Sequence, residues 1–253
     1  MPTPVAIIGA TGTMGRLISR LIEASDDFDL VAQLDSRSEL SQMIGAAIAV
    51  DVTVPAVSPG VVEFAVENGI NVLVGTSGWS AERITRLEKI VAGREGAGVV
   101  IVPNFSLGSV LATSFAVQAA RFFDSIEIIE AHHASKVDSP SGTSVRTAEL
   151  MGAARGSRGP VTAPHVDQRA RGQQVSSIPI HSLRVHGVVA RQDVVFGGEG
   201  EVLTITHETL APSAYEAGIL VGLRATAGAR GVVVGLHRLL GLGADESGAG
   251  TSA

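Results

Sequence analysis

The stretch Val5-Ala6-Ile7-Ile8-Gly9-Ala10-Thr11-Gly12-Thr13-Met14-Gly15 decides the fold. Its apolar run ends at a glycine-rich turn, and the turn opens into Met14–Glu23, whose apolar residues recur at helical spacing. A strand, a glycine turn and a helix in that order form the opening unit of a parallel α/β domain. Glycine lets the backbone turn sharply and approach a pyrophosphate, which then rests on the positive N-terminus of the helix. The spacing is a G-x-x-G-x-x-G variant, because Ala10 stands where the usual fingerprint has its first glycine and Gly9 precedes it. Gly9, Ala10, Thr11, Gly12, Thr13 and Met14 are therefore the first candidate dinucleotide contacts.

Working outward, the same alternation continues through the first hundred residues. Strand-like runs occupy Leu30–Leu34, Ala46–Val50, Val72–Val74 and Val99–Val102. Helices are expected over about Pro59–Asn68, with Ser58 as its cap and Pro59 at the first helical position, and over about Ala81–Val91. This rhythm implies a doubly wound, Rossmann-like α/β domain. Asp35 follows the second strand, 20 residues past Gly15, where an acid receives the adenosine ribose hydroxyls. Arg37, two residues on, suits a 2'-phosphate instead, so the pair serves NADH, NADPH or both. Ligands bind outside the carboxyl ends of strands in open α/β sheets, so Gly75-Thr76-Ser77-Gly78 after the fourth strand-like run and Pro103-Asn104-Phe105-Ser106 after the fifth are the expected nicotinamide contacts. Asp51-Val52-Thr53 stands at a similar strand end and is a lesser candidate for the same contact, read first as a structural cap.

Beyond Pro103 the rhythm changes. A helix over about Leu107–Phe123 precedes strand-like runs at Ile126–Ala131, His181–Val185, Val188–Phe196 and Val202–His207. Strands grouped in this way indicate a second, α+β domain on a mixed sheet. Residues 151–180, rich in Gly, Ala, Arg and Gln, are read as a long surface loop and a possible oligomer contact. The helix-like stretch Tyr215–Thr226 returns to the first domain. The expected division is 1–104 with about 213–242 for the nucleotide, 105–212 for substrate and oligomerisation, and 243–253 as a disordered tail.

Composition excludes several classes. A net charge of -6 opposes phosphate backbones and anionic lipid heads, so neither a nucleic-acid nor a membrane partner is expected. No apolar run reaches the roughly 20 residues of a spanning helix, and Met1-Pro2-Thr3-Pro4 lacks the basic start of a secretory signal. The absence of cysteine fits a reducing, cytoplasmic setting and removes disulfides, thiol nucleophiles and cysteine zinc sites.

Chemistry concentrates in Glu130-Ala131-His132-His133-Ala134-Ser135-Lys136-Val137-Asp138-Ser139-Pro140-Ser141-Gly142-Thr143. Lys89 and Lys136 are the only lysines among 19 basic residues, and an ammonium can release a proton where a guanidinium cannot. Ser141, Gly142 and Thr143 precede a helix over about Val145–Met151, where free amides and hydroxyls suit a carboxylate. His132 and His133 near a strand end point in different directions and so serve separate roles, and with no cysteine and no third ligand at zinc spacing no metal site is expected. An imidazole titrates near neutral pH and can exchange a proton during a reduction.

The string E-x-H-H-x-x-K-x-D-x-P-S-G-T, with the amino-terminal G-x-x-G-x-x-G, G-T-x-G and P-N-F-S, resembles the dihydrodipicolinate reductase family over about residues 5–240. The resemblance implies a homotetramer whose core is the second domain's sheet, and NADH- or NADPH-dependent reduction of cyclic hydroxy-tetrahydrodipicolinate, a small dicarboxylate, with loss of water. Carried over residue by residue, it makes His132 the general acid/base, Lys136 the proton donor, His133, Gly142 and Thr143 substrate contacts, and Gly9 to Met14, Asp35, Gly75 to Ser77 and Val102 to Phe105 the dinucleotide contacts. Many members carry a further basic residue or histidine where this chain has Ala134 and Ser135, and a basic residue where it has Thr13. Two rival readings share the fold: a non-catalytic NAD(P) sensor and another nicotinamide-dependent amino-acid dehydrogenase.

Overall fold

The computed structural model describes residues 1–94 and 96–242, so the tail expected at 243–253 lies outside the described residues. The chain divides into two compact units, Met1–Phe105 together with the chain from Tyr215, and Ser106–Ala214.

The first unit opens with β1 (Thr3–Ile8), α1 (Thr13–Glu23), β2 (Phe28–Leu34) and β3 (Ile48–Asp51), followed by α2 (Ser58–Glu67), β4 (Asn71–Val74), α3 (Ala81–Ala92) and β5 (Gly98–Ile101). After the second unit the chain adds α6 (Glu216–Ala227), β11 (Gly231–Val234) and the short α7 (Leu236–Leu239) to it. All pairings are parallel, and the strand order is β11-β5-β4-β3-β1-β2. The order reverses beside β1, which is the switch point where open α/β sheets bind their ligands. Central strands are buried on both faces and read as unbroken apolar runs. Ala6, Ala49, Val72 and Val99 pack with Val61, Val62, Ala65, Leu87 and Val91 of α2 and α3. On the opposite face Leu73 lies against Gly222 of α6, where an added Cβ would come within 3.1 Å.

Strand β11 was not among the expected elements, because Gly-Val-Val-Val after a turn is too short to distinguish from a loop. The role expected of Ser58 also needs correction. Val57 occupies the α2 cap position without a side-chain cap bond, and the Ser58 hydroxyl turns inward to Asp51.

The second unit contains α4 (Leu107–Ala119), β6 (Ser125–His132), α5 (Gly142–Arg155), β7 (Gln173–Val175), β8 (Ile178–Arg184), β9 (Ala190–Gly198) and β10 (Glu201–Thr209). The strand order is β10-β9-β6-β8-β7, with β6 and β8 parallel and the other pairs antiparallel. Ile126, Ile128, Ile180, Val194 and Phe196 bury one sheet face against Ala116 and Ala120 of the α4 end and Ala148 and Met151 of α5.

Residues 151–180 are not simply a surface loop. Helix α5 runs to Arg155, whose buried guanidinium donates to the carbonyls of Ala120 (2.9 Å), Phe123 (2.5 Å) and Gly159 (2.8 Å). Those bonds hold the chain that follows α4, which ends earlier than Phe123. Met151, Val161 and Ile178 are core residues. Gly152 lacks the side chain that would mark the helix, since a Cβ there would lie 2.6 Å from that of Ser176. No helix among the described residues is long and apolar enough to cross a membrane.

Candidate functional site

In the first unit, the turn after β1 is built for close approach. Gly9 has φ +91, and a Cβ on it would stand 2.5 Å from the Val52 carbonyl oxygen. Gly15 lets α1 press onto this turn, since its Cβ would stand 2.2 Å from the Gly9 oxygen. The amides of Gly9 and Ala10 both donate to the Leu34 carbonyl, at 2.9 and 3.0 Å, which fixes the turn beside the end of β2. Helices α3, α4 and α5 are capped by the hydroxyls of Ser80, Ser106 and Ser141, whereas α1 has Gly12 at its cap and no side-chain cap bond. Thr11, Gly12 and Thr13 are exposed, so the first amides of α1 are open to an anion. This cradle fits a pyrophosphate.

Asp35 lies exposed beyond β2. Its Oδ1 accepts from the Arg37 amide (2.8 Å) and the Ser38 hydroxyl (3.1 Å). The Arg37 amide, then the Ser38 hydroxyl, hold its carboxyl below the usual range, so it is ionised and can accept from ribose hydroxyls. Among the described residues no carboxylate forms an ion pair with the Arg37 guanidinium.

The other expected contacts divide by burial. Val102 and Phe105 are core side chains, and the Thr76 hydroxyl turns inward to the Asp51 carbonyl at 3.3 Å, so these positions can meet a ligand only through backbone. Pro103 and Ser77 are exposed, while Gly75 and Asn104 are half-buried. Asp51 is fully buried and accepts from the Thr53 amide (3.1 Å), the Thr53 hydroxyl (2.6 Å) and the Ser58 hydroxyl. Ser58 in turn accepts from the Trp79 indole at 3.0 Å. Asp51 therefore ties the end of β3 to the start of α2 and to the loop after β4, a role that extends the structural cap expected of it.

In the second unit, β6 ends at His132, and its parallel register sets Arg184 of β8 opposite. Glu130 lies two residues earlier on the same strand face and is fully buried. Its Oε2 lies 2.5 Å from His132 Nδ1 and 3.0 Å from Arg184, and its Oε1 lies 2.9 Å from Arg184 and 3.3 Å from the Ser141 amide. Arg184 also donates to the Asp138 carbonyl at 2.5 Å. Asp138 Oδ1 meets Lys136 Nζ at 2.7 Å. The Glu130–Arg184 pair thus holds His132 and the Ser141 end of α5 directly, and reaches Lys136 by way of Asp138. His133 stands apart from that network, exposed, with Nδ1 2.8 Å from the Ser135 hydroxyl.

Burial is the largest influence on Glu130 and acts to raise its pKa, but hydrogen bonds from Arg184, Ser182 and His132 prevail and hold it below the usual range. Burial likewise dominates at His132 and lowers its pKa, helped by Lys136 and Arg184 and opposed by Glu130. The imidazole is accordingly neutral at neutral pH. Lys136, first among several causes, lowers the pKa of Asp138.

The Ser141 hydroxyl is spent as the α5 cap, accepting from the Ser144 amide at 3.2 Å, whereas Gly142 is exposed and Thr143 half-buried. Beneath them Ser144 donates to Gln192 (2.8 Å), Gln192 to Thr147 (3.4 Å), and Thr147 to the Thr143 carbonyl (2.9 Å). Sequence reasoning missed Arg184 and gave Glu130 no role. The only local signal was the two-residue spacing of Glu130 from His132, since Arg184 is brought in by sheet register.

The family model described as dihydrodipicolinate reductase, N-terminus, matches residues 3–105, and the one described as dihydrodipicolinate reductase, C-terminus, matches residues 108–240. The chain is 75% identical over 240 residues to 4-hydroxy-tetrahydrodipicolinate reductase of Clavibacter sepedonicus, covering 95% of this chain and 87% of the relative. It is 42% identical to the enzyme of that name from Streptomyces griseus, covering 94% and 98%. Among solved structures, a dipicolinate-bound dihydrodipicolinate reductase from Paenisporosarcina sp. TG-14 superposes with a TM-score of 0.82 at 28% identity, covering 94% of this chain and 99% of that one.

Proposed function

Because the chain belongs to the dihydrodipicolinate reductase family, we propose that its first unit holds the nucleotide and its second unit holds the substrate and manages protons. The reaction is the reduction of 4-hydroxy-tetrahydrodipicolinate to tetrahydrodipicolinate in diaminopimelate and lysine synthesis, with NADH or NADPH as reductant. That membership sets aside the sensor and amino-acid dehydrogenase readings. One observation carries the assignment of roles: His132, Lys136 and the amino end of α5 all connect to the Glu130–Arg184 pair.

When bound, the reduced nicotinamide supplies a hydride. The balance of the reaction then requires one proton taken up and one water released. Gly9, Ala10, Thr11, Gly12, Thr13 and Met14 bind the pyrophosphate, Asp35 and Arg37 bind the adenosine end, and the segments Gly75–Ser77 and Val102–Phe105 bind the nicotinamide end. Gly142 and Thr143 at the start of α5, with His133, bind the carboxylates and orient the ring before reduction. Ser141 shapes that end through its capping bond. His132 exchanges a proton at Nε2, and Lys136 donates one from Nζ once the substrate's negative charge draws it from Asp138.

The sheet face of the second unit turned away from α4 and α5 exposes Ile129, Leu183 and Val202. These exposed apolar side chains support, as part of the proposal, a homotetramer in which copies meet at this face. Cytoplasmic location is supported by the cysteine-free composition.

The assay is oxidation of NADH and NADPH with the cyclic substrate made in place by its synthase. Both nucleotides should serve, with selectivity under about a hundredfold, or roughly 3 kcal/mol. Asp35→Ala should weaken NADH more than NADPH, and the reverse order would show that Asp35 does not hold the ribose. Thr143→Val keeps shape and removes a hydroxyl, so KM for substrate should rise by about tenfold while nucleotide affinity holds. Nucleotide affinity lost in titration calorimetry, at unchanged substrate KM, would remove Thr143 from the substrate site.

A further inference from the structure

Glu130 is a fully buried carboxylate to which the reaction scheme gives no step. A charge taken out of water is costly unless paired and hydrogen-bonded. Here both oxygens are engaged, by His132 Nδ1, both terminal nitrogens of Arg184 and the Ser141 amide. We propose that Glu130, locked by Arg184, is the positioning residue of the reaction: it fixes His132 as the Nδ1–H tautomer and leaves Nε2 as the atom that exchanges the proton.

The argument is one of donors and acceptors. An ionised carboxylate only accepts, so the His132 nitrogen 2.5 Å away must carry the hydrogen. A neutral imidazole has a single N–H, and Nε2 is then left with its lone pair. The two-pronged bond from Arg184 prevents the carboxylate from rotating away, and its bond to the Asp138 carbonyl extends the same reference to the loop that pairs with Lys136. The charged groups facing His132 are Glu130, Lys136 and Arg184; Glu130 is the one that favours the protonated ring. Glu130 itself carries no proton in the reaction. The proposal rests on His132 being the acid/base group.

Two measurements on the full chain test it. Long-range proton–nitrogen NMR of histidine-labelled wild type, with the His132 signals assigned by their loss in His132→Ala, should show neutral His132 protonated at Nδ1 and bare at Nε2. An Nε2–H tautomer would overturn the proposal without reference to any variant's folding. Glu130→Gln should lower kcat by about 10² or more while nucleotide affinity holds. Its His132-dependent limb in the pH–rate profile should also move to lower pH, because the influence that raises the imidazole pKa is removed. Glu130→Gln/Arg184→Gln, which leaves no unpaired buried charge, should show the same loss. Wild-type kcat in either, beside an inactive His132→Ala, would overturn the positioning role alone. Wild-type kcat in His132→Ala would overturn the acid/base reading and the positioning role together.

Discussion

Lys136→Arg should lower kcat by about 10² to 10⁴, as expected for loss of an acid catalyst, although it preserves positive charge at the site. The ammonium is docked on Asp138 at 2.7 Å and is only partly exposed. A guanidinium can keep that ion pair and meet a carboxylate, but it cannot release a proton near neutral pH. Lys136→Ala, which removes both charge and acid, should be at least as slow and should raise substrate KM as well. Nucleotide affinity should be unchanged in both variants, since Lys136 belongs to the second unit. Steady-state kinetics of the two variants with a nucleotide titration decide the matter. Near-wild-type kcat in Lys136→Arg would leave Lys136 only the role of holding a carboxylate.

The second large effect is expected at Gly15. A single methyl there would stand 2.2 Å from the Gly9 oxygen and 2.6 Å from the Ala10 Cα, and both are backbone atoms that cannot swing aside. Either α1 lifts from the turn or the turn moves, and a displacement near one ångström in a binding cradle costs about 10²-fold. Gly15→Ala should therefore weaken both nucleotides by about a hundredfold and reduce stability by about 1–3 kcal/mol. Calorimetric titration and denaturant unfolding measure the two effects separately. Unchanged nucleotide affinity would mean that the pyrophosphate does not use this turn.

Much of the fold was legible because its signals are local. Unbroken apolar strands, glycine turns and helical spacing lie within a few residues of each other, and the alternation through Val102 announces a parallel sheet. Elements defined by distant partners were not legible. Strand β11 exists as a strand because it adds to β5, and the helical run to Arg155 is hidden by Gly152, whose missing side chain serves the approach of Ser176. Ser58 looked like a cap from its place before Pro59, but the buried Asp51 carboxylate competes for its hydroxyl.

The site divides in the same way. His132, Lys136 and Ser141 to Thr143 stand close together in the chain, so their grouping could be seen from spacing. The ion pair that organises them could not, because Arg184 reaches Glu130 through the β6–β8 register, 54 residues away in sequence. The inward turn of Thr76 and the burial of Val102 and Phe105 were equally invisible, since strand-end position does not say which way a side chain faces.

The central claim is that proton transfer in this reductase passes through His132. The direct measurement is kcat of His132→Ala against wild type at saturating NADPH and substrate, with NADPH affinity measured on the same preparations. The account predicts a fall in kcat of about 10² to 10⁴ with unchanged NADPH affinity. Wild-type kcat in His132→Ala would contradict it.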